Sequence, residues 1–243
     1  MNSGPRVNSG PPTPRNVRLV GAFRIDGLDT SGPGGQEARL LKRLAVSHDQ
    51  SVPMATLVDA LWPSAAPARA ERNVAALVSR LRRLLGADAL RGDARGYTLV
   101  TSEGLRVDLA EAEARLAAAE EELGAASYGL AEHAAATAVA LLQAGPVLAD
   151  ESDSDWVNQT RSIADRLLRR ARSLHWSAAL GCADYPAAEG SASAALDDDP
   201  LDEDACRALM TSCAQSGRPA AALQVYERLR TTLADALGID PAS

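Results

Sequence analysis

The stretch that most constrains the fold of this 243-residue chain is 68–85, which reads ARAERNVAALVSRLRRLL. On a helical wheel its large apolar side chains share one face, as in a helix that docks on a core. They are Val74, Leu77, Val78, Leu81, Leu84 and Leu85. The opposite face centres on Arg72, Ala76, Ser79 and Arg83, flanked by Arg69 and Arg80. An exposed arginine face of this kind suits a DNA major groove, and equally a solvated basic surface.

The segments around this helix predict a small α+β domain. Their order is strands within 17–26, a helix at 36–46, a helix from Pro53 to Trp62, the arginine helix, and a hairpin within 90–100. Pro53 suits a first helical turn, and Gly86 follows the arginine helix where a C-terminal glycine is expected. A helix-turn-helix followed by a β-hairpin is a winged helix. Its basic tip, Arg95, lies where a phosphate or minor-groove contact is expected.

The second half of the chain predicts helices only. Candidate helices cover 108–123, 128–142 and 156–183, and a faint repeat then relates residues 184–188 to residues 217–221 at an offset of 33. That offset is close to the 34-residue tetratricopeptide period. Such helix pairs stack around a groove for a protein segment, although they can also serve as scaffold or dimer surface. We therefore expect a mainly α chain, with a winged helix-turn-helix (α+β) domain at 17–105, an all-α tetratricopeptide-like domain at 106–243 and a disordered tail at 1–16.

Charge is divided unevenly between these two parts. Residues 17–105 hold 12 basic and 9 acidic residues, a net charge of +3, whereas residues 106–243 hold 11 and 23, a net charge of −12. The overall charge of −7 therefore does not exclude nucleic acid. A Debye length of about 8 Å near physiological salt screens a distant acidic domain from DNA bound to the basic one.

Other function classes find little support in the sequence. We expect Cys182, Cys206 and Cys213 to be buried apolar residues in a reducing cytoplasm. The three histidines lack metal-ligand spacing, and no nucleophile elbow, phosphate loop or paired-carboxylate site is present. We therefore expect no enzyme, no cofactor and no metal. No apolar run approaches twenty residues, so we expect no membrane association and a cytoplasmic, nucleoid-associated protein.

Two groups of motifs resemble a known family. The runs LVDALWP, RNVAALVSRLRRLLG and RGYTL are similar to winged helices of the OmpR/PhoB type, and more narrowly to the Streptomyces antibiotic regulatory protein (SARP) family of transcriptional activators. The runs GPVLAD, DDDPLDEDACRALM and GRPAAALQVYERLRTTLADALGIDP resemble the bacterial transcriptional activator domain that follows this winged helix. Family members usually continue beyond that point, so we expect either a small version or a fragment of a larger regulator.

The resemblance assigns roles to individual residues. It implies that DNA is contacted by Arg72, Asn73, Ser79, Arg80 and Arg83, with Arg95 at the wing, and the wheel adds Arg69. Trp62 would pack at the loop, either as a core residue or as one whose backbone is offered to a phosphate. Arg82 lies near the buried edge, where we expect it to pair with a carboxylate such as Glu37. Because Ala75 and Ala76 are small, we expect few direct base contacts and more reliance on phosphates and DNA shape.

The resemblance further implies an activator of secondary-metabolite (antibiotic) biosynthesis genes. Such an activator binds direct repeats in double-stranded promoter DNA near the −35 element, as a homodimer, and recruits RNA polymerase holoenzyme through its sigma factor and core subunits. One alternative is a protein-interaction module whose winged helix is vestigial and whose repeats dock partners. A second is a regulator that holds a small ligand in the repeat groove, which no polar cluster on the repeat faces supports.

Overall fold

Two small sheets and a larger set of helices make up the protein, which is mainly α. The structure is a computed structural model that describes residues 14–28, 32–102 and 104–237. Among these residues, internal contacts define two units: one reaches residue 110 and includes 145–160, and the other comprises 111–144 and the chain from 161 onward.

The core of the first unit is formed by three helices, α1 (Gly35–Val46), α2 (Met54–Leu61) and α3 (Ala70–Leu85). The helix α3 packs against both of the others. It buries Val74, Leu77, Val78, Leu81 and Leu85, which confirms the predicted apolar face. Leu84, expected on the same face, is only half-buried and lines an open cleft beside Arg80 and Arg83.

Two three-stranded sheets complete the first unit. One contains β1 (Arg15–Arg18), with β2 (Arg24–Asp26) antiparallel and β6 (Leu105–Val107) parallel to it. In the other, β5 (Gly96–Leu99) lies between β3 (Val52–Pro53) and β4 (Leu90–Asp93). The expected hairpin is β4–β5, paired from Leu90↔Leu99 to Asp93↔Gly96. Gly96 is required there, because a Cβ atom would lie 2.5 Å from the Val52 carbonyl oxygen.

A buried carboxylate connects the first sheet to the start of the next helix, α4 (Asp108–Gly124). The Asp108 side chain accepts hydrogen bonds from the backbone N–H groups of Leu19 and Val20, both at 2.9 Å, and from that of Leu109 at 2.8 Å. Burial raises the pKa of Asp108, while the three backbone donors act to lower it. The carboxylate therefore supplies acceptors to three buried backbone donors, which its removal would leave unpaired.

Residues 145–160 belong to the first unit, although the expected domain boundary placed them in the second domain. The Lys42 side chain of α1, which is 3% exposed, holds this segment in the first unit. Its Nζ atom lies 2.5 Å from the Asp150 carboxylate and 2.9 Å from that of Glu151. The Leu148 N–H also donates to the Leu19 carbonyl oxygen at 2.8 Å. A single boundary between 105 and 106 therefore does not describe the two units, because residues 145–160 fold back onto α1. The Lys42–Asp150 contact joins residues that are 108 positions apart in the sequence.

The expected N-terminal tail of residues 1–16 is also corrected where the structure describes it. Arg15 and Asn16 belong to β1 and pair with Leu105 and Arg106 of β6. Residues 1–13 lie outside the described residues. β1 is the central strand of its sheet, so neighbouring strands on both sides satisfy its backbone hydrogen bonds. The polar composition of this stretch did not reveal the strand.

The second unit is entirely helical. Besides the remainder of α4, its helices are α5 (Tyr128–Leu142), α6 (Asp155–Gly181, from residue 161), α7 (Tyr185–Asp198), α8 (Glu203–Gln215) and α9 (Pro219–Leu237). Alanines dominate the contacts among α6, α7 and α8, where Ala179, Ala188, Ala192 and Ala205 pack around Trp176. Small side chains let these helices approach closely, as expected from the alanine-rich sequence.

The faint sequence repeat falls at two equivalent turns of the structure, which are 34 rather than 33 residues apart. Asp184 donates its N–H to the Ala179 carbonyl oxygen after Ala183, which has a φ of 59°. Arg218 likewise donates to Cys213 after Gly217, whose φ is 75°. These equivalent turns, and the starts of α7 and α9, are 34 residues apart. The sequence offset of 33 came from aligning the two Pro-Ala-Ala segments. Pro186 is the second helical residue of α7 whereas Pro219 is the first of α9, so the structural offset is one residue longer.

The cysteines only partly match expectation. Cys206 and Cys213 are buried, but Cys182 is exposed, because it follows the end of α6 in the turn before α7. Of the helices that the structure describes, none combines the length and apolar character needed to cross a membrane.

Replacing Asp108 with Asn tests the role of this carboxylate. The amide keeps the size of the side chain but turns an NH₂ group toward backbone donors, so at least one buried N–H loses its acceptor. We expect the free energy of unfolding to fall by about 1–3 kcal/mol. Urea titration should show a lower midpoint at an unchanged m-value. Asp88→Asn, at an exposed carboxylate, is the control; equal stability of both variants would contradict this role.

Candidate nucleic-acid interface

The outward side of α3 carries the residues that the sequence assigned to DNA. Apart from Glu71, the exposed positions from the N-cap onward are Arg69, Arg72, Asn73, Ala76, Ser79, Arg80 and Arg83, named here the arginine face. At 1.5 Å per residue the face extends for about 20 Å along the helix. An α-helix with exposed cations over that length has the dimensions of a major-groove element.

The arginine face points outward because both ends of α3 are fixed. Val74 at the start and Leu85 at the end are buried in the core. At the C-terminus the Arg15 Nη1 atom donates to the Leu85 carbonyl oxygen at 2.8 Å, which places a cation on the last turn, where the helix dipole favours one. Gly86 then ends the helix with a φ of 108°.

Arg82 connects α3 to the hairpin rather than to α1. Its Nε atom donates to the Leu90 carbonyl oxygen at 3.0 Å, and its guanidinium group lies 5.8 Å from the centre of the Tyr97 ring. The expectation that Arg82 has a structural role agrees with these contacts, but the expected pairing with Glu37 is wrong. Glu37 instead pairs with Arg80, whose guanidinium group extends from the arginine face toward the first turn of α1.

The tip of the β4–β5 hairpin presents Arg95, whose side chain is 93% exposed. The Arg95 backbone is held from two sides: its N–H donates to the Asp93 carboxylate at 2.9 Å, and its carbonyl oxygen accepts from the Met54 N–H at 2.9 Å. The hydrogen bonds that the Asp93 carboxylate accepts from Arg95, first from the backbone N–H and then from the side chain, hold the pKa of Asp93 below its usual value. The tip is therefore fixed to the start of α2, while the guanidinium group remains accessible.

Several arginines of this surface have no ion pair within the residues that the structure describes. They are Arg69, Arg72 and Arg83 on the arginine face and Arg91 on β4. An exposed guanidinium group with five unengaged donors can bind a phosphate without first giving up an internal partner. This distinguishes these side chains from Arg80 and Arg95, each of which contacts a carboxylate.

The remaining predicted site residues differ in what they can offer a ligand. Asn73 is exposed and its side chain makes no hydrogen bond among the described residues. The Ser79 hydroxyl donates to the Ala75 carbonyl oxygen at 2.9 Å, which leaves its lone pairs as acceptors. Trp62 is half-buried and its backbone N–H donates to Val58 at 2.9 Å. That N–H is therefore not available to a phosphate, and the packing role is the one this geometry supports.

Sequence reasoning missed two residues of this surface and gave a third the wrong partner. Arg91 is exposed on β4, where only the first residue, Leu90, is buried, so no alternation along this short strand marked it. Asp93 accepts a backbone hydrogen bond two residues ahead, a pattern typical of Asp in turns. Glu37 was assigned to the wrong arginine, because its neighbour Arg80 is 43 residues away and only tertiary packing sets the pair.

Comparisons with known proteins agree with this organisation. Residues 107–243 match the family described as "Bacterial transcriptional activator domain". The regulatory protein MoaR1 of Mycobacterium tuberculosis is 31% identical over 236 residues, which cover 92% of this chain and 74% of MoaR1. AfsR of Streptomyces coelicolor is 30% identical over 254 residues, 99% of this chain and 25% of AfsR.

The transcriptional regulatory protein EmbR of Mycobacterium tuberculosis is similar in both sequence and structure. It is 31% identical over 225 residues, 89% of this chain and 57% of EmbR, so the chain spans little more than half of that relative. The structure of EmbR in complex with a low-affinity phosphopeptide matches with a TM-score of 0.77 and 27% identity, over 94% of this chain and 62% of that chain. The chain belongs to the SARP family of transcriptional activators that carry the bacterial transcriptional activator domain.

Proposed function

We propose that this chain activates transcription by binding double-stranded promoter DNA through the arginine face and the β4–β5 hairpin. The observation that carries the proposal is the set of exposed, unpaired arginines on a helix whose opposite side is buried. Such a helix has a fixed orientation, and few contacts within the protein are broken when its outer face binds phosphates. Relatives named as transcriptional regulators support the same function.

In this proposal the first unit acts as a winged helix-turn-helix. The helices α2 and α3 are the helix-turn-helix, α3 is the recognition helix, and β4–β5 is the wing. Support comes from the order of these elements and from the Met54–Arg95 hydrogen bond, which links the wing tip to α2. The arginine face would lie in the major groove and Arg95 would meet a phosphate or the neighbouring minor groove.

Recognition by this surface would rest on few base contacts. Asn73 and Ser79 are the side chains of the arginine face with neutral hydrogen-bonding groups, and both are exposed. Ala76, between them, adds only a methyl group. We infer that phosphate contacts by arginines set the position of the helix, while sequence-dependent DNA shape contributes a large part of the discrimination.

The helical unit would supply the protein contacts of an activator. We infer that its helix pairs, equivalent at 34 residues, form a tetratricopeptide-like scaffold. On direct repeats near the −35 element this unit would bring two protomers side by side and contact the sigma factor and core subunits of RNA polymerase holoenzyme. The genes controlled would be those of secondary metabolism, as in the antibiotic regulators after which the family is named, and the protein would work in the cytoplasm at the nucleoid.

A second candidate function is a protein-interaction module that does not bind DNA. The exposed side chains of Leu130 and Leu223, 62% and 65% accessible on the helical unit, favour it. A gel shift with promoter DNA separates the two functions, because the module would leave the DNA free while the activator would retard it.

The salt dependence of binding measures how many phosphates the protein neutralises. With about four arginine contacts per protomer, a dimer neutralises about eight phosphates, and log K should fall with log salt with a slope of about −7. The titration uses a duplex from the promoter adjacent to the protein's own gene, where a footprint should also show two repeated protected segments. A slope shallower than about −2 would contradict binding through the arginine face.

Single arginine variants separate DNA contacts from structural ones. Arg72→Ala and Arg83→Ala should each weaken promoter binding about tenfold, as expected for loss of a charge-assisted hydrogen bond, and leave the thermal midpoint unchanged. Arg82→Ala is the matched control from the same helix. It should lower stability by about 1–2 kcal/mol through loss of the Leu90 and Tyr97 contacts. If Arg72→Ala or Arg83→Ala unfolds the chain instead, that arginine has a structural role.

A further inference from the structure

Two carboxylates form ion pairs with arginines of the proposed DNA surface. Glu37, in the first turn of α1, pairs with Arg80, and Asp93, at the end of β4, pairs with Arg95. Each pair occupies one end of the surface: Arg80 is in the C-terminal half of α3 and Arg95 is at the hairpin tip. The arginines Arg69, Arg72 and Arg83 have no such partner among the described residues.

The Glu37 pair competes directly with a ligand of the arginine face. Glu37, Arg80 and Arg83 line one open cleft together with residues 32–34. A phosphate that approaches Arg80 or Arg83 in this cleft therefore meets a carboxylate that already neutralises Arg80. Binding at this point requires either that Arg80 turn away from Glu37 or that two anions share one guanidinium group.

The Asp93 pair restrains the wing in a similar way. One Asp93 oxygen accepts from the Arg95 backbone N–H at 2.9 Å, and the other lies 3.3 Å from the Arg95 Nη2 atom. The carboxylate thus shapes the turn and at the same time pairs with the exposed guanidinium group. Both carboxylates remain near the DNA once a complex has formed, so they also repel the phosphates directly.

We infer that Glu37 and Asp93 are affinity-limiting residues, which hold Arg80 and Arg95 back from the phosphates of any duplex and so reduce binding to DNA outside the operator. Non-specific complexes depend almost wholly on phosphate contacts, so they are the complexes that such competition weakens. The unpaired arginines and the contacts of Asn73 and Ser79 are left to form the operator complex. This inference rests on the proposed DNA-binding function.

The test measures binding of Glu37→Gln and Asp93→Asn to a 25-base-pair duplex of random sequence across a salt series. Each variant should bind about two- to fivefold more tightly than the wild type, the range that an exposed ion pair represents. Each should also steepen the log–log salt slope by about 0.9 per released arginine in each bound protomer. Unchanged or weaker binding by both variants would overturn the inference.

Matched controls separate the release of an arginine from the loss of one negative charge. Glu71 on α3 and Asp59 on α2 are exposed and have no ion pair among the described residues. Glu71→Gln and Asp59→Asn should therefore change binding less than Glu37→Gln and Asp93→Asn do; an equal gain would overturn the inference. In addition, the gain of Glu37→Gln should vanish in the double variant with Arg80→Gln, and its persistence there would also overturn the inference.

The outcome distinguishes this inference from the proposed function. If the wild type binds and the Arg72→Ala variant does not, yet neither carboxylate variant gains affinity, only the affinity-limiting role fails. If the wild type and every variant leave both this duplex and promoter DNA unbound, both fail. Binding that appears only in Glu37→Gln or Asp93→Asn supports the inference in its strongest form. Thermal midpoints of all variants confirm that folded proteins are compared.

Discussion

The burial of one side of α3 is the constraint on which the proposed function depends. Five aliphatic side chains of this helix enter the core, and burial of each Val or Leu stabilises the fold by about 1.5–3 kcal/mol. No rotation of α3 about its axis can expose them at a tolerable cost. The arginines on the other side are therefore directed outward by packing, and the contacts of Arg15 with Leu85 and of Arg82 with Leu90 then fix the helix end and the hairpin.

Local features of this protein could be predicted from its sequence, because local rules determine them. The 3.6-residue spacing of Val74, Leu77, Val78 and Leu81 predicted both α3 and its buried side, and Gly86 predicted its end. The GDARG loop predicted the hairpin and its exposed Arg95. By contrast, the partner of Lys42 lies 108 residues away and the partner of Arg80 is 43 residues away. Such pairs follow from tertiary packing, which helical periodicity does not encode.

The candidate site could be located from the sequence, but its electrostatics could not. The wheel identified the arginines that are exposed, yet it gave no means to separate Arg72 and Arg83, which are unpaired, from Arg80, which is not. The same limit explains why Arg82 was given a carboxylate partner when backbone carbonyl groups and an aromatic ring surround it. A net charge of −7 is compatible with DNA binding for a related reason, since the local distribution of unpaired cations matters more than the total.

The most direct test of the central claim is site-specific photo-crosslinking to promoter DNA. A photoreactive phenylalanine derivative at Ala76, in the middle of the arginine face, would report contact without removing an arginine. The same group at His133, an exposed position on α5, is the reference. We expect an efficient crosslink to DNA from position 76 and none above background from position 133. A crosslink from position 133 with none from position 76 would contradict that claim.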